Sequence, residues 1–157
     1  MQIPFVNLTR ESNLIKKDLL QATEYVIDSG NYILGEKVKE FEECFASFCG
    51  ISDAIAVGNG SDGLKLIMKA LGIGLNDEVI CPANSFIASS WSIVDVGAKP
   101  VFCDVENDLL LSVETIRKCK TERTKAVMAV HLTGRLCDTE KLLEYCKEQN
   151  ILLIEDA

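Results

Sequence analysis

A chain of 157 residues, 48% hydrophobic and 25% charged, is long enough to bury the core of one ordinary globular domain. Its net charge of −8 comes with no basic run to neutralise phosphates, which argues against a nucleic-acid partner. Its apolar runs fall well short of the roughly 18 residues of a membrane span, and MQIPFVNLTR lacks the basic-then-apolar order of a secretory signal. Seven cysteines, odd in number and without a C-x-x-C pair, suggest neither a disulfide framework nor a zinc site, so the expected compartment is a reducing cytoplasm.

Two helices come first. Leu14, Ile15, Leu19, Ala22, Tyr25 and Val26 recur at helical spacing over 12–28, with Gly30 as the stop. Val38, Phe41, Phe45 and Phe48 share one face over 36–48, and Gly50 ends that helix. The period then changes. Strands are expected at 53–57 (DAIAV), 78–82 (EVICP), 100–105 (PVFCDV), 125–132 (KAVMAVHL) and 151–155 (ILLIE). Helices are expected between them at 61–71, 85–95, 115–120 and 139–148. Five strands alternating with four helices imply right-handed crossovers and an α/β fold, a largely parallel sheet with helices on both faces.

In such sheets ligands collect beyond the C-terminal ends of the strands. The residues there are Gly58 to Ser61, Ala83 to Phe86, Asp104, His131, Thr133 and Asp156. GNGSDG (58–63) fits the dinucleotide pattern G-x-G-x-x-G. That fold also needs an acid about 20 residues on, at the end of the next strand. Asp77 and Glu78 have the separation but precede their strand, so they belong at the opposite edge. A single phosphate fits the turn better. Small residues expose backbone N–H groups, a helix N-terminus favours an anion by roughly 0.3–1 kcal/mol, and Ser61 adds a hydroxyl. The plainer alternative is that Ser61 only caps its helix. Phe86 has two readings as well: an edge aromatic that stacks on a planar ring, or a core or helix-staple residue. Trp91 reads as packing.

ILLIEDA ends in a third feature. A carboxylate at the end of a buried strand is costly unless paired. Asp156 would either cap a following helix or hold a proton on a ring nitrogen, as pyridoxal phosphate requires. Glu155 should point the other way. A phosphate cradle, a ring face and an acid for a ring nitrogen then share one sheet edge, and pyridoxal phosphate needs all three.

The segments SGNYILGEKVKEFEECFASFCG, AIAVGNGSDGLKLIMKALGIGLNDEVICPANSFIASS, VGAKPVFCDV, TKAVMAVHLTGR and ILLIEDA, in that order, resemble the DegT/DnrJ/EryC1/StrS sugar aminotransferases of the type I pyridoxal-phosphate fold. The resemblance implies that Gly60, Ser61 and Asp62 (through its backbone N–H) meet the cofactor phosphate. It implies that Phe86 stacks on the pyridine ring and that Asp156 pairs with the pyridine nitrogen. Thr133 and Arg135 replace residues often seen as Tyr and Gln. Asn31 and Tyr32 resemble a segment near the substrate, with packing as the default. His131 either touches the ligand or is bonded to backbone.

The family's Schiff-base lysine matches none of the lysines here, so the chain looks like the N-terminal part of a longer enzyme. Residues 1–50 would be an N-terminal helical segment and 51–157 the first part of the cofactor-binding large domain. The implied activity is amino transfer, usually from glutamate, to a nucleotide-linked keto-sugar by a cytoplasmic homodimer in deoxyaminosugar or surface polysaccharide synthesis. A sugar dehydratase of the same family, using a histidine for the lysine, and a non-catalytic fragment are the alternatives.

Overall fold

The computed structural model describes residues 4–157. It divides into two compact units, Met1–Ala56 and Val57–Ala157. In the first, α1 runs over Leu8–Ser29 and α2 over Glu36–Cys49. The Asn7 side chain accepts from the Arg10 N–H at 3.1 Å and starts α1 earlier than its apolar periodicity suggests. Gly30, with φ 68°, ends it in the left-handed conformation that glycine adopts without strain. The expected apolar stripes are present, but Leu14, Leu19, Phe41 and Phe45 are exposed, and Ala46 is the one buried residue of the two helices.

The second unit holds the core. Its elements are α3 (Gly60–Ala70), β1 (Glu78–Pro82), α4 (Ile87–Asp95), β2 (Lys99–Cys103), α5 (Val113–Cys119), β3 (Thr124–Val130), α6 (Thr139–Glu148) and β4 (Leu152–Asp156). The strands pair in the order β2-β1-β3-β4, all parallel. Alternate strand residues supply two cores. Val79, Cys81, Ala126, Met128 and Ile154 pack with Leu64 and Met68 of α3 and Ile93 of α4. On the other face, Ile80, Val127 and Ala129 pack with Ile116 of α5 and with Leu142, Tyr145 and Cys146 of α6. The two-faced α/β architecture expected from the alternation is therefore present.

One strand is not. Residues 53–57 form no strand, so the sheet has four strands among the described residues. DAIAV has strand-like composition, but a strand exists only with a ladder partner. Here Ile55 is 83% exposed, and the Ala56 N–H bonds to the Glu42 carboxylate at 2.8 Å. Trp91 also departs from expectation. It is 64% exposed because α4 turns its small residues Ser89, Ser90 and Ser92, with Ile93, toward the sheet. Cys81, Cys103, Cys137 and Cys146 are buried. Loss of solvation pushes the Cys81 thiol up to about 11 and that of Cys103 to about 12, as suits inert small hydrophobes.

The N-terminal edge of the sheet is closed by Glu78, only 2% exposed. Its carboxylate accepts from Thr121 Oγ1 at 2.5 Å, Arg123 Nη2 at 2.7 Å and Lys99 Nζ at 3.3 Å. The Asp77 carboxylate accepts from the Gly74 N–H at 2.9 Å. Both acids thus sit at the edge away from the strand C-termini, where a dinucleotide ribose would not reach them.

The Thr121 hydroxyl, helped by the Lys99 and Arg123 cations and opposed by burial, holds the Glu78 carboxyl below its ordinary 4.5. A lowered folded-state value means that this stabilisation is fully present above the ordinary value and is lost as pH falls through the folded one. Glu78→Gln is expected to lower unfolding free energy at pH 7 by about 1.5–3 kcal/mol, the worth of hydrogen bonds to a charged group. The deficit should shrink toward pH 3, and paired urea titrations at the two pH values measure it.

Candidate functional site

At the C-terminal edge, β1 leads into α4, β3 leads into a 3₁₀ turn (Leu132–Gly134), β4 ends at Asp156, and α3 begins. Between them lies an open cleft of about 320 Å³. Gly60, Ser61, Phe86, Ser89, His131, Thr133 and Asp156 are among the residues that line it. No lysine is among the lining residues.

The glycine-rich turn opens α3. Asn59 is the cap: its Oδ1 accepts from the Asp62 N–H at 2.9 Å, and its Nδ2 donates to the Asp62 carboxylate at 2.9 Å. Ser61 is therefore not the capping residue. Among the described residues, the Gly60 and Ser61 N–H groups and the Ser61 hydroxyl have no hydrogen-bond partner. Asp62, the third residue expected at a phosphate, has its N–H occupied by Asn59 and does not line the cleft. Gly60 has an ordinary negative φ, and a Cβ built on it meets no atom within 4 Å. Neither backbone strain nor protein packing requires glycine there, so the side-chain volume it leaves open belongs to the cleft.

Phe86 occupies the N-cap position of α4 in extended backbone (φ −62°, ψ 144°) and is 76% exposed. It is not a core residue. Asp156, two residues after the buried Ile154, lies on the same sheet face as α3 and α4. Its Oδ2 accepts from Ser89 Oγ at 2.7 Å, while Oδ1 has no partner among the described residues. Ser89 is 1% exposed. Sequence reasoning missed it, although S-F-I-A-S places it one helical turn after Phe86.

Glu155 points to the other face, as strand alternation requires, and meets His131 Nε2 at 2.9 Å. The Cys137 N–H donates to His131 Nδ1 at 3.2 Å, so that nitrogen is the acceptor and Nε2 carries the proton toward Glu155. The ring is 5% exposed and tied on both sides. His131 is bonded to backbone, as one of its two readings expected, and it also lines the cleft. The His131 N–H also donates to the Asp156 carbonyl at 2.9 Å, which joins the ends of β3 and β4. Thr133 lines the cleft in left-handed backbone (φ 56°). Arg135 does not line it; Nη1 donates to the Asp108 carbonyl at 3.4 Å. Asn31 and Tyr32 belong to the first unit, where with Tyr25 and Glu36 they line a small cavity of about 80 Å³.

The arrangement suits a flat, cationic heteroaromatic ring carrying a phosphate: free N–H donors at a helix start, an exposed aromatic, and a carboxylate with one free oxygen. Among the described residues, no cluster of three or more His, Cys, Asp or Glu could hold a metal ion, and no helix is long and apolar enough to cross a membrane.

The chain is 44% identical over 156 residues to the dTDP-3-amino-3,6-dideoxy-alpha-D-galactopyranose transaminase of Aneurinibacillus thermoaerophilus, covering 99% of this chain and 43% of that protein. The crystal structure of S. venezuelae DesV superposes with TM-score 0.97 at 35% identity, covering 99% of this chain and 42% of that one. The E. coli GDP-4-keto-6-deoxy-D-mannose-3-dehydratase with bound hydrated PLP superposes with TM-score 0.80 at 29% identity, over 88% of this chain and 37% of that one. The chain thus spans less than half the length of each. Residues 13–157 match the DegT/DnrJ/EryC1/StrS aminotransferase family, and the chain belongs to it.

Proposed function

We propose that the protein containing this chain is a pyridoxal-phosphate aminotransferase that transfers an amino group, with glutamate as donor, to a nucleotide-linked keto-sugar. The observation that carries this reading is the convergence of Gly60, Ser61, Phe86 and Asp156 on one cleft. The place is a cytoplasmic homodimer that makes deoxyaminosugars for surface polysaccharide. The relative of 44% identity is a transaminase of a dTDP-linked aminosugar, which supports both the sugar and the chemistry.

The residues divide the work. The Gly60 and Ser61 N–H groups and the Ser61 hydroxyl would donate to the phosphate, with the α3 dipole favouring the anion. The Asp62 N–H would join them only after release from Asn59. Phe86 would hold the ring plane. Asp156, through its free Oδ1, would hold the proton on the ring nitrogen. When bound, the cofactor supplies an electron sink for charge that develops at the substrate carbon. The residues that line the cleft include no lysine, so the 157-residue chain by itself is expected not to transaminate.

The likeness to the E. coli dehydratase favours a second reading, loss of water from the sugar. His131 is not the histidine such chemistry would need, because both of its ring nitrogens are engaged. Amino transfer from labelled glutamate to the sugar, against release of an unaminated deoxy product, separates the two.

Two outcomes are expected of the full-length protein. Added pyridoxal phosphate should produce a visible absorption band, and Asp156→Ala should lower turnover on the order of 10²-fold, the scale of a lost proton-holding group. No band in the wild type would sink the assignment. Gly60→Val should weaken pyridoxal phosphate by about ten-fold or more, one charge-assisted hydrogen bond, yet leave phosphate-free pyridoxal unaffected. Its melting temperature should hold, since a Cβ at position 60 meets no protein atom within 4 Å. Equal weakening of both ligands would remove the phosphate from the α3 turn.

A further inference from the structure

α4 carries three buried serines, Ser89, Ser90 and Ser92. A buried helical serine ordinarily returns its proton to a carbonyl of its own helix. Ser90 donates to the Ile87 carbonyl at 3.1 Å, and Ser92 donates to the Ser89 carbonyl at 2.9 Å. Ser89 does not. Its hydroxyl crosses to a residue 67 positions away and donates to Asp156 Oδ2 at 2.7 Å. That bond is the only side-chain hydrogen bond to the Asp156 carboxylate among the described residues. It occupies one oxygen and leaves the other free.

The donor is rigid. Ser89 is 1% exposed and sits in the first turn of α4, with Phe86 at that helix's N-cap. One short helix therefore carries both the aromatic assigned to the ring face and the hydroxyl that orients the acid assigned to the ring nitrogen. A carboxylate at a strand end can rotate about its terminal torsion, which has only a broad preference. A fixed donor on Oδ2 removes that freedom.

We propose that Ser89 is a positioning residue that acts through Asp156: its hydroxyl holds the carboxylate so that Oδ1 meets the ring nitrogen while Phe86, on the same helix, meets the ring face. The inference rests on the cofactor reading above. It requires a hydroxyl at position 89, and threonine should serve as well as serine.

The test uses the full-length protein and pyridoxamine phosphate, which binds without a covalent link, and reads the dissociation constant by calorimetry. Ser89→Ala should raise it about ten-fold, the scale of a lost hydrogen bond to a charged group, and Ser89→Thr should restore it. In an Asp156→Ala background, Ser89→Ala should add nothing, because a residue that acts through Asp156 has no effect without it. Ser92→Ala, which removes a back-bonded hydroxyl from the same helix, should bind like the wild type. The proposal is overturned if Ser89→Ala binds normally, if its loss adds to that of Asp156→Ala, if threonine fails to rescue, or if Ser92→Ala is as weak. A wild-type protein that binds no pyridoxamine phosphate, or an Asp156→Ala protein that binds it normally, overturns the cofactor reading itself, a result separate from any behaviour of Ser89.

Discussion

Parallel pairing is the constraint on which the rest depends. Because β1, β2, β3 and β4 all run the same way, every strand delivers its C-terminus to one edge, with Val130 directly opposite Asp156. Each connection must then cross a face of the sheet, which buries both faces and leaves the strands few polar positions. The sequence of β3, TKAVMAV, and the buried Val79 to Cys81 of β1 follow from that requirement. So does the placement of α3 and α4, which pack on the same core and begin at the same edge.

The two edges treat an acid in opposite ways. Glu78, at the N-terminal edge, is 2% exposed and receives three donors, two of them cationic. Its hydrogen-bonding capacity goes to the fold. Asp156, at the C-terminal edge, receives one neutral donor and keeps an oxygen free. A fully satisfied carboxylate is a structural element, whereas a half-satisfied one beside a cleft remains available to a ligand. The same contrast holds for backbone donors: the Asp62 N–H is consumed by its cap, and those of Gly60 and Ser61 are not.

The elements most legible in the sequence were those with a local stop and start. EVICP and Thr139–Glu148 match their expected bounds, the latter because Asp138 caps the Lys141 N–H at 3.3 Å. Starts were harder to read. Ser112 and Thr115 form a reciprocal capping box, so α5 begins at Val113 and not at Thr115. DAIAV misled because a ladder partner, not composition, makes a strand. Within the site, Gly60, Ser61, Phe86 and Asp156 were legible as residues of one edge because each lies at an end of a regular element: the start of α3, the N-cap of α4 and the last residue of β4. Ser89 was not, because its role depends on a contact across 67 residues that no local pattern carries.

GNGSDG shows how a motif is decided by its surroundings. Its three glycines satisfy the dinucleotide spacing, but their local demands differ from what that fold asks. A Cβ on Gly63 would lie 3.4 Å from Val57 Cγ2, a contact alanine tolerates, and a Cβ on Gly60 would meet nothing. Only the space left at Gly60 bears on a ligand. The choice between a dinucleotide and a single phosphate therefore falls to the ends of later strands. β1 is followed by Asn84, whose Nδ2 donates to the Leu109 carbonyl at 3.2 Å, and no acid stands there to grip a ribose. β4 instead ends in Asp156, on the face shared with Phe86 and Ser89 of α4. An acid beside an aromatic, with the open α3 start at Gly60 on the same cleft, is the chemistry a single charged ring asks for and not that of a ribose grip.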